Sequence, residues 1–171
     1  MNYSKKTILT TFLAAFVVLS SISAQKFGHI NSQQLLVESP LVKEADAALK
    51  VFQDDLISKG QAMVANFEAE YTNYVAEVQA GSLNKVQMSQ REAELAKAQE
   101  AIQKYEVEVQ QKIALKREEL YKPILDQAKV AIDEIGKAGN FTMIFDTGTN
   151  GLLFAETSED ILPQVKAKLG W

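Results

Sequence analysis

Cysteine is absent from the 171-residue chain, and histidine occurs only once. The lack of cysteine excludes disulfide scaffolds, cysteine-based zinc sites, thiol nucleophiles and an N-terminal cysteine lipid anchor. A single histidine disfavours a multi-histidine metal site and a Ser-His-Asp triad within one chain, so we expect no metal or cofactor. Glycine and proline number only eight and three, which lets long segments stay regular. The formal net charge of −4 argues against a nucleic-acid binder, whose surface is usually basic.

The first 24 residues have the layout of a secretory signal peptide. Lys5 and Lys6 precede an apolar run over residues 8–19, and small residues follow up to Ala24. This run is shorter than the roughly 20 residues of a membrane-spanning helix, so cleavage is favoured over an uncleaved anchor. We predict cleavage after Ala24, or one residue earlier, and no stable membrane insertion of the mature protein. Removing residues 1–24 takes away two lysines, which moves the net charge from −4 to −6.

A first long helix is predicted over residues 40–79. Ser39 and Pro40 are the residue types preferred at a helix N-cap and in the first helical turn. From Leu49 to Val78, apolar residues then recur about every 3.6 positions, with charged and amide side chains between them. This spacing indicates an amphipathic helix with one narrow apolar stripe.

A second long helix is predicted from Lys85 to about Ala138, with a stripe of similar spacing. Pro123 is expected to bend this helix or to mark the end of its exposed part. Residues 80–84, AGSLN, are typical of a short turn. Two such helices joined by five residues predict an antiparallel helical hairpin, an arm about 60 Å long.

The remaining segments are short and β-like. Strands are predicted at residues 26–31, 141–145 and 152–155, with a turn-rich hairpin loop between the last two. Residues 157–160 are predicted to cap a last helix that ends at Leu169. Three short strands make a small sheet with exposed edges, and pairing between copies in a closed barrel would remove those edges. The sequence therefore predicts a mainly α fold with a small β body, in which an oligomeric base carries helical arms.

These segments, taken in order, resemble a known family. After the signal peptide the chain opens with KFGHINSQQLL, continues through the helical hairpin and ends with GNFTMIFDTGTNGLLFAETSEDILPQVKAKL. This layout is similar to that of the Skp/OmpH family of periplasmic chaperones, over essentially the whole mature chain. The opening strand and the C-terminal block carry the resemblance most strongly.

The resemblance implies a jellyfish-like homotrimer in the periplasm. Strands of three subunits would form a barrel-like base, and three coiled-coil arms would project from it around a cavity that holds unfolded outer-membrane proteins without ATP. Residues 25–39 and 122–171 are then expected to form the oligomerisation body and residues 40–121 the arm, with its tip at 80–84. The best-known members are basic, whereas this mature chain is acidic, so contact with lipopolysaccharide is doubtful here.

Client contact is expected from large apolar side chains on the arm, because aromatic and methionine side chains adapt to varied apolar surfaces. For any single member of the stripe, packing of one helix on the other is the simpler explanation. The candidates are Phe52, Met63, Phe67, Tyr71, Tyr74, Met88 and Tyr105. The corresponding candidates in the oligomerisation body are Phe27, Ile30, Phe141, Met143, Phe145, Leu152 and Phe154.

One short motif resembles a catalytic loop. Asp146, Thr147 and Gly148 follow apolar residues, as in aspartic proteases, where two carboxylates share a proton. A single copy would need a symmetric dimer and a mostly β fold, and the same residue types are common in tight turns, so we expect a turn. His29 has no second candidate ligand and is interpreted as an ordinary strand residue.

We therefore expect a non-enzymatic, ATP-independent holdase chaperone whose partners are unfolded outer-membrane β-barrel proteins. The sequence contains no phosphate-binding loop that would couple client release to nucleotide hydrolysis. The alternative is a periplasmic coiled-coil structural or adaptor protein that binds one specific partner. The two hypotheses differ in whether unrelated unfolded proteins are protected from aggregation.

Overall fold

The structure is a computed structural model and describes residues 25–149 and 158–171. The predicted signal peptide and the predicted strand at 152–155, with Leu152 and Phe154, lie outside these ranges. The described chain contains strands β1 (Lys26–Ile30), β2 (Phe141–Asp146) and β3 (Glu159–Asp160), and helices α1 (Ser32–Glu38), α2 (Pro40–Gln79), α3 (Lys85–Ala138) and α4 (Leu162–Leu169).

Helix α2 has the predicted boundaries. Ser39 is its N-cap and accepts a hydrogen bond from the backbone N–H of Val42, and Pro40 lies in the first turn. At the other end Gly81 has a φ of 66°, and its N–H donates to the carbonyl of Val78. Glycine adopts this left-handed conformation without steric cost, so it ends the helix and opens the turn.

Helix α3 also has the predicted boundaries. It begins with a capping box, in which Asn84 and Gln87 each accept the other's backbone N–H through a side-chain oxygen, at 3.0 and 2.9 Å. The helix continues through Pro123, and its first buried residue, Ile124, follows directly. The buried residues of α3 thus occur only after Pro123, although Leu125 and Val130 beyond it are 47 % and 55 % exposed.

Helices α2 and α3 are joined by hydrogen bonds from three tyrosine hydroxyl groups. As the residue number of the partner on α2 increases, that of the partner on α3 decreases. This is the pattern of two helices packed side by side in opposite directions. The bonds run from Tyr121 to the Asp46 carboxylate, from Tyr105 to the Leu56 carbonyl at 3.0 Å, and from Tyr74 to the Glu92 carboxylate at 2.7 Å.

The three strands form a parallel sheet in the order β2-β1-β3. Gly28 on the central strand is aligned with Ile144 on β2 and with Glu159 on β3. The carbonyls that follow in β1 extend the pairing, since Ile30 accepts from Thr147 N–H at 2.9 Å and His29 from Ile161 N–H at 3.0 Å. The first strand of the described chain is therefore held by two segments that lie more than 100 residues later.

The hydrophobic core lies where the sheet, α1, the end of α3 and α4 meet. Trp171 packs against it, and the backbone N–H of Trp171 donates to the carbonyl of Lys166 at 2.9 Å. Two ion pairs, Lys166 with Glu38 and Lys168 with Glu134, attach α4 to α1 and α3. The buried core residues are Ile30, Leu35, Ala128, Ala131, Ile161, Leu162 and Val165.

Two local predictions at the ends of the chain are wrong. Glu159 and Asp160 form a strand rather than the direct start of the last helix, because they pair with β1 and α4 begins only at Leu162. The Asp160 carboxylate still accepts the Leu162 N–H at 2.9 Å. At the other end Asn31 is the N-cap of α1, a helix the sequence did not predict, rather than the last residue of the strand.

Candidate functional site

The outer part of the hairpin has no fully buried side chain. The structure describes every residue from Ile57 to Pro123, and none of them is buried. The buried residues of α2 are Ala45, Leu49 and Leu56, all nearer to the sheet. The apolar stripe of the outer hairpin is therefore only partly covered by the facing helix, and part of it stays available to other molecules.

A mostly apolar groove of about 360 Å³ lies along one side of this outer hairpin. Its walls come from both helices, and its lining contains no lysine or arginine. We call it the apolar groove. Its lining includes Ile57, Gly60, Met63 and Val64 of α2 and Ile102 and Tyr105 of α3, with Glu68 and Glu106 as the charged members.

The other side of the hairpin carries a charged groove. Phe52 and Leu115 contribute to its apolar surface, and its five charged side chains all form ion pairs within the hairpin. The pairs are Asp55 with Lys59 at 2.7 Å, Lys116 with Glu119 at 2.8 Å, and Lys112 with Glu108, which lies outside the groove, at 2.9 Å. The hairpin thus has an apolar side and a self-neutralised charged side.

A row of exposed apolar residues extends the apolar groove toward the tip of the hairpin. Its members follow one another at intervals of seven residues, which places them on one face of α2, each rotated about the helix axis by about 20° from the one before. Ile57 and Val64, whose side chains are 52 % and 40 % exposed, were not singled out from the sequence. The seven-residue interval was the signal that would have found them. The row is Ile57, Val64, Tyr71 and Val78.

The predicted client-binding residues are divided between these surfaces. Met63 and Tyr105 line the apolar groove, whereas Phe52 lines the charged one. Tyr71 is exposed in the apolar row, and its ring stacks on that of Phe67, with 6.3 Å between the ring centroids. The structure therefore brings Met63 and Tyr105 together and places Phe52 elsewhere.

The other two candidates lie nearer the tip. Tyr74 is half-buried, and the hydrogen bond that its hydroxyl donates to the Glu92 carboxylate raises the pKa of the phenol. Met88 is half-buried near the start of α3. Tyr74 thus has a hydrogen-bond partner within the hairpin, and its hydroxyl is already engaged.

The sheet has an apolar outer face that residues 25–149 and 158–171 leave exposed. Phe27 is aligned with Met143, and His29 with Phe145, so these four residues share one face. Met143 is 56 % and Phe145 39 % exposed, and the rings of Phe27 and Phe145 lie 6.3 Å apart. An exposed apolar face of this kind on a small sheet is typical of a surface that another molecule covers.

The other two predicted body residues in the described chain serve the chain's own core. Ile30 is 2 % exposed and belongs to the buried cluster, and Phe141 packs against that cluster from the edge. The ammonium group of Lys26 lies 4.1 Å from the centroid of the Phe141 ring. These two side chains hold the sheet to the helices.

Asp146 organises the turn after β2. Its carboxylate accepts the Ser32 hydroxyl at 2.6 Å, the Ser32 N–H at 3.1 Å and the Gly148 N–H at 2.9 Å. Partial burial would raise the pKa of Asp146, but these three hydrogen bonds outweigh it and hold the pKa below its usual range. Residues 147–149 form a turn, as predicted, and the carboxylate links that turn to α1.

Two further observations concern metal and membrane binding. Within residues 25–149 and 158–171, no three histidine, aspartate or glutamate side chains are grouped in a way that could hold a metal ion. In the same part of the chain, no helix combines the length and the apolar character needed to cross a membrane. His29, the lone histidine, is 2.7 Å from the Ser158 hydroxyl through Nδ1.

A pair of long helices beside a small three-stranded parallel sheet, with an apolar groove along the pair, makes this a mainly helical fold. The family model described as outer membrane protein (OmpH-like) matches residues 26–169, and the chain belongs to this family.

Among solved structures, the fold is similar to that of a Caulobacter crescentus protein described as a candidate outer membrane chaperone (OmpH-like). The TM-score is 0.73 at 16 % sequence identity, and the match covers 86 % of this chain and 85 % of the other. No curated protein matches the sequence.

Proposed function

We propose that the mature chain is an ATP-independent holdase chaperone of the periplasm that keeps unfolded outer-membrane β-barrel proteins from aggregating. The signal peptide would direct export and be removed near Ala24. Three copies would associate through their sheets, and the three hairpins would project as arms around a cavity that holds the client. Membership of the OmpH-like family supports a chaperone role.

The observation that carries the proposal is the difference between the two sides of the hairpin. One side has the apolar groove and the apolar row, whereas the other neutralises its own charges with ion pairs. An unfolded chain exposes apolar segments that gain free energy when they leave water. Several weak contacts of this kind, repeated on three arms, give a high overall affinity while each contact exchanges rapidly.

The open face of the sheet supports the oligomeric part of the proposal. Met143 and Phe145 present apolar side chains there, and β2 is an edge strand with no neighbour on its outer side among the described residues. Sheet edges and apolar faces are covered in stable folds, and pairing between copies is a common way to cover them. A base built from these surfaces would set the arms side by side.

The proposal is tested by the native mass of the mature protein, alone and mixed with a urea-unfolded outer-membrane β-barrel protein. We expect a trimer that takes up one client chain and that suppresses the light scattering of the diluted client. A client that aggregates equally fast in the presence and absence of the protein would contradict the holdase function.

Two pairs of substitutions connect the activity to the apolar side. Ile57→Ser with Val64→Ser removes two exposed side chains from the apolar groove, and we expect client affinity to fall about tenfold, as the loss of about 1.4 kcal/mol of apolar contact predicts. Val107→Ser with Leu115→Ser is the matched control, because these side chains are 62 % and 66 % exposed but lie outside the apolar groove. Equal loss in both variants would argue against the groove as the binding surface.

An adaptor function is the second candidate. Its supporting observation is the seven-residue interval of the apolar row, which is also the repeat that pairs one helix with another in a coiled coil. An adaptor would form one stoichiometric complex with a helical partner and would leave unrelated unfolded proteins unprotected. The light-scattering measurement with two unrelated clients separates the two functions.

A further inference from the structure

We propose that the apolar groove selects client segments that combine apolar side chains with positive charge, and that it disfavours acidic segments. The occupant is an unfolded stretch of polypeptide in which lysine or arginine alternates with apolar residues. This inference rests on the proposed function and adds the chemistry of the client to it.

The charged side chains of the apolar groove are both acidic. Glu68 lies on α2 and Glu106 on α3, so carboxylates flank the apolar wall from both helices. Among the residues that the structure describes, neither carboxylate forms an ion pair. In the charged groove, by contrast, Lys59 and Lys116 neutralise neighbouring carboxylates. Unneutralised negative charge is thus located on the side that offers apolar contact.

The sequence of α2 extends this negative surface toward the tip. From Gly60 to the end of α2 the helix carries Glu68, Glu70 and Glu77 and no lysine or arginine. Glu77 has a basic neighbour, Arg91 of α3, at 3.6 Å. From Gly60 onward, the apolar row therefore runs along a helix segment whose own charges are all negative.

A basic, apolar segment can satisfy both features at once. The methylene groups of a lysine side chain can lie on apolar surface such as Val64 and the Tyr105 ring, while its ammonium group reaches Glu68 or Glu106. An acidic segment would bring like charges together on the same surface, which opposes binding. Because these carboxylates are exposed, added salt must weaken the preference.

The test uses two peptides with the same apolar residues in the same positions, one with lysine and the other with glutamate at the intervening positions. Binding to the full mature protein is measured by fluorescence anisotropy at low and at high salt. We expect the lysine peptide to bind at least about fivefold more tightly at low salt, and the difference to shrink at high salt.

Variants in which glutamate is replaced by glutamine test whether the preference for the lysine peptide comes from the carboxylates of the apolar groove. Glu68→Gln with Glu106→Gln should bring the two affinities close together. Glu44→Gln with Glu118→Gln removes the same charge at exposed positions about 18 Å or more along the helices from the groove residues, and it should leave the preference intact. A preference lost equally in both variants would reflect net charge alone and would overturn the assignment to the groove.

The outcomes separate this inference from the function on which it rests. If both peptides bind equally and the client is still protected, the charge preference is wrong and the holdase function stands. If neither peptide binds and the client aggregates, the proposed function fails as well. A native mass that rises with protein concentration, with peptide binding abolished, would assign the groove to contact between copies and would overturn the proposal.

Discussion

The ring of Tyr105 lies against Gly60, so that a β-carbon at residue 60 would be 3.4 Å from Cε1 of the ring. The Tyr105 hydroxyl donates to the carbonyl of Leu56. Leu56 lies four residues before Gly60, so the same carbonyl is the regular helical acceptor for the N–H of Gly60. Tyr105 of α3 thus contacts α2 at Gly60, the residue of that helix whose backbone conformation is least restricted. The contact lies between Leu56, the last buried residue of α2, and the open apolar groove.

Gly60→Ala should stabilise the hairpin. Alanine in a helix interior is favoured over glycine by about 1 kcal/mol, and its β-carbon would make an ordinary van der Waals contact with the Tyr105 ring. We expect the free energy of unfolding to rise by about 0.5–1 kcal/mol in urea titrations at a fixed protein concentration. A lower urea midpoint would mean that the ring cannot accommodate the methyl group.

Gly81→Ala is the matched control and should have the opposite effect. Gly81 has a φ of 66°, and a β-carbon added there would meet no other group within 4 Å. The effect of the substitution on stability therefore comes from backbone strain alone. We expect a loss of about 1 kcal/mol in the same titrations. Equal changes in both variants would show that general helix content, and not the local geometry, decides the result.

Asp146→Asn should weaken the turn after β2. The variant keeps an acceptor oxygen but loses the negative charge that strengthens the hydrogen bonds from Ser32 and Gly148. We expect a stability loss of about 1 kcal/mol at pH 7. Asp133→Asn, at an exposed position of α3, should leave stability nearly unchanged.

The pH dependence follows from the lowered pKa of Asp146. Because the folded pKa lies below the unfolded value of about 4, the stabilisation is complete above the unfolded value and is lost as the pH falls through the folded one. The difference between the original protein and Asp146→Asn should therefore be largest near neutral pH and shrink toward pH 2 in urea titrations. A difference that is constant with pH would exclude a role for the charge.

Trp171 should report on the body of the protein. It is the only tryptophan and packs against the core, so its fluorescence should shift to longer wavelength when the body unfolds. Trp171→Ala should lower the free energy of unfolding by about 1–2 kcal/mol, because the ring is half-buried. An emission maximum already typical of water in the native protein would contradict the packing.

Met143→Glu should prevent the proposed association of copies without unfolding the chain. The substitution places a charge on the open face of the sheet, where a neighbouring copy would have to bury it. We expect the native mass to fall to that of a single chain while the helical circular dichroism is retained. Val37→Glu changes a side chain that is 71 % exposed on α1 and should leave the mass unchanged.

The two long helices were predictable because local signals agree with the structure. Ser39 with Pro40 and Asn84 with Gln87 fix the helix starts, and Gly81 fixes the turn through backbone freedom alone. The spacing of the apolar residues also identified the stripe along which the two helices pack. None of these signals depends on a distant part of the chain.

The short elements were less predictable because distant partners decide them. Glu159 and Asp160 have the residue types of a helix cap, yet β1 offers them hydrogen-bonding positions and they form a strand. The parallel strand order needs the same long-range pairing. At the site, the stripe indicated Met63 and Tyr105, but which side of the hairpin is apolar depends on how α2 and α3 face each other.

The position of β1 in the centre of the sheet has a consequence for the order of folding. During synthesis β1 is the first described element to emerge, yet its partners Phe141–Asp146 and Glu159–Asp160 emerge only after both long helices. The helical pair between them depends on local contacts, which form quickly, whereas the sheet must close a loop of more than 100 residues. If copies associate through the sheet, as proposed, a chain interrupted before Phe141 would carry the helical pair but not the sheet that association requires. The proposed association would thereby be reserved for finished chains.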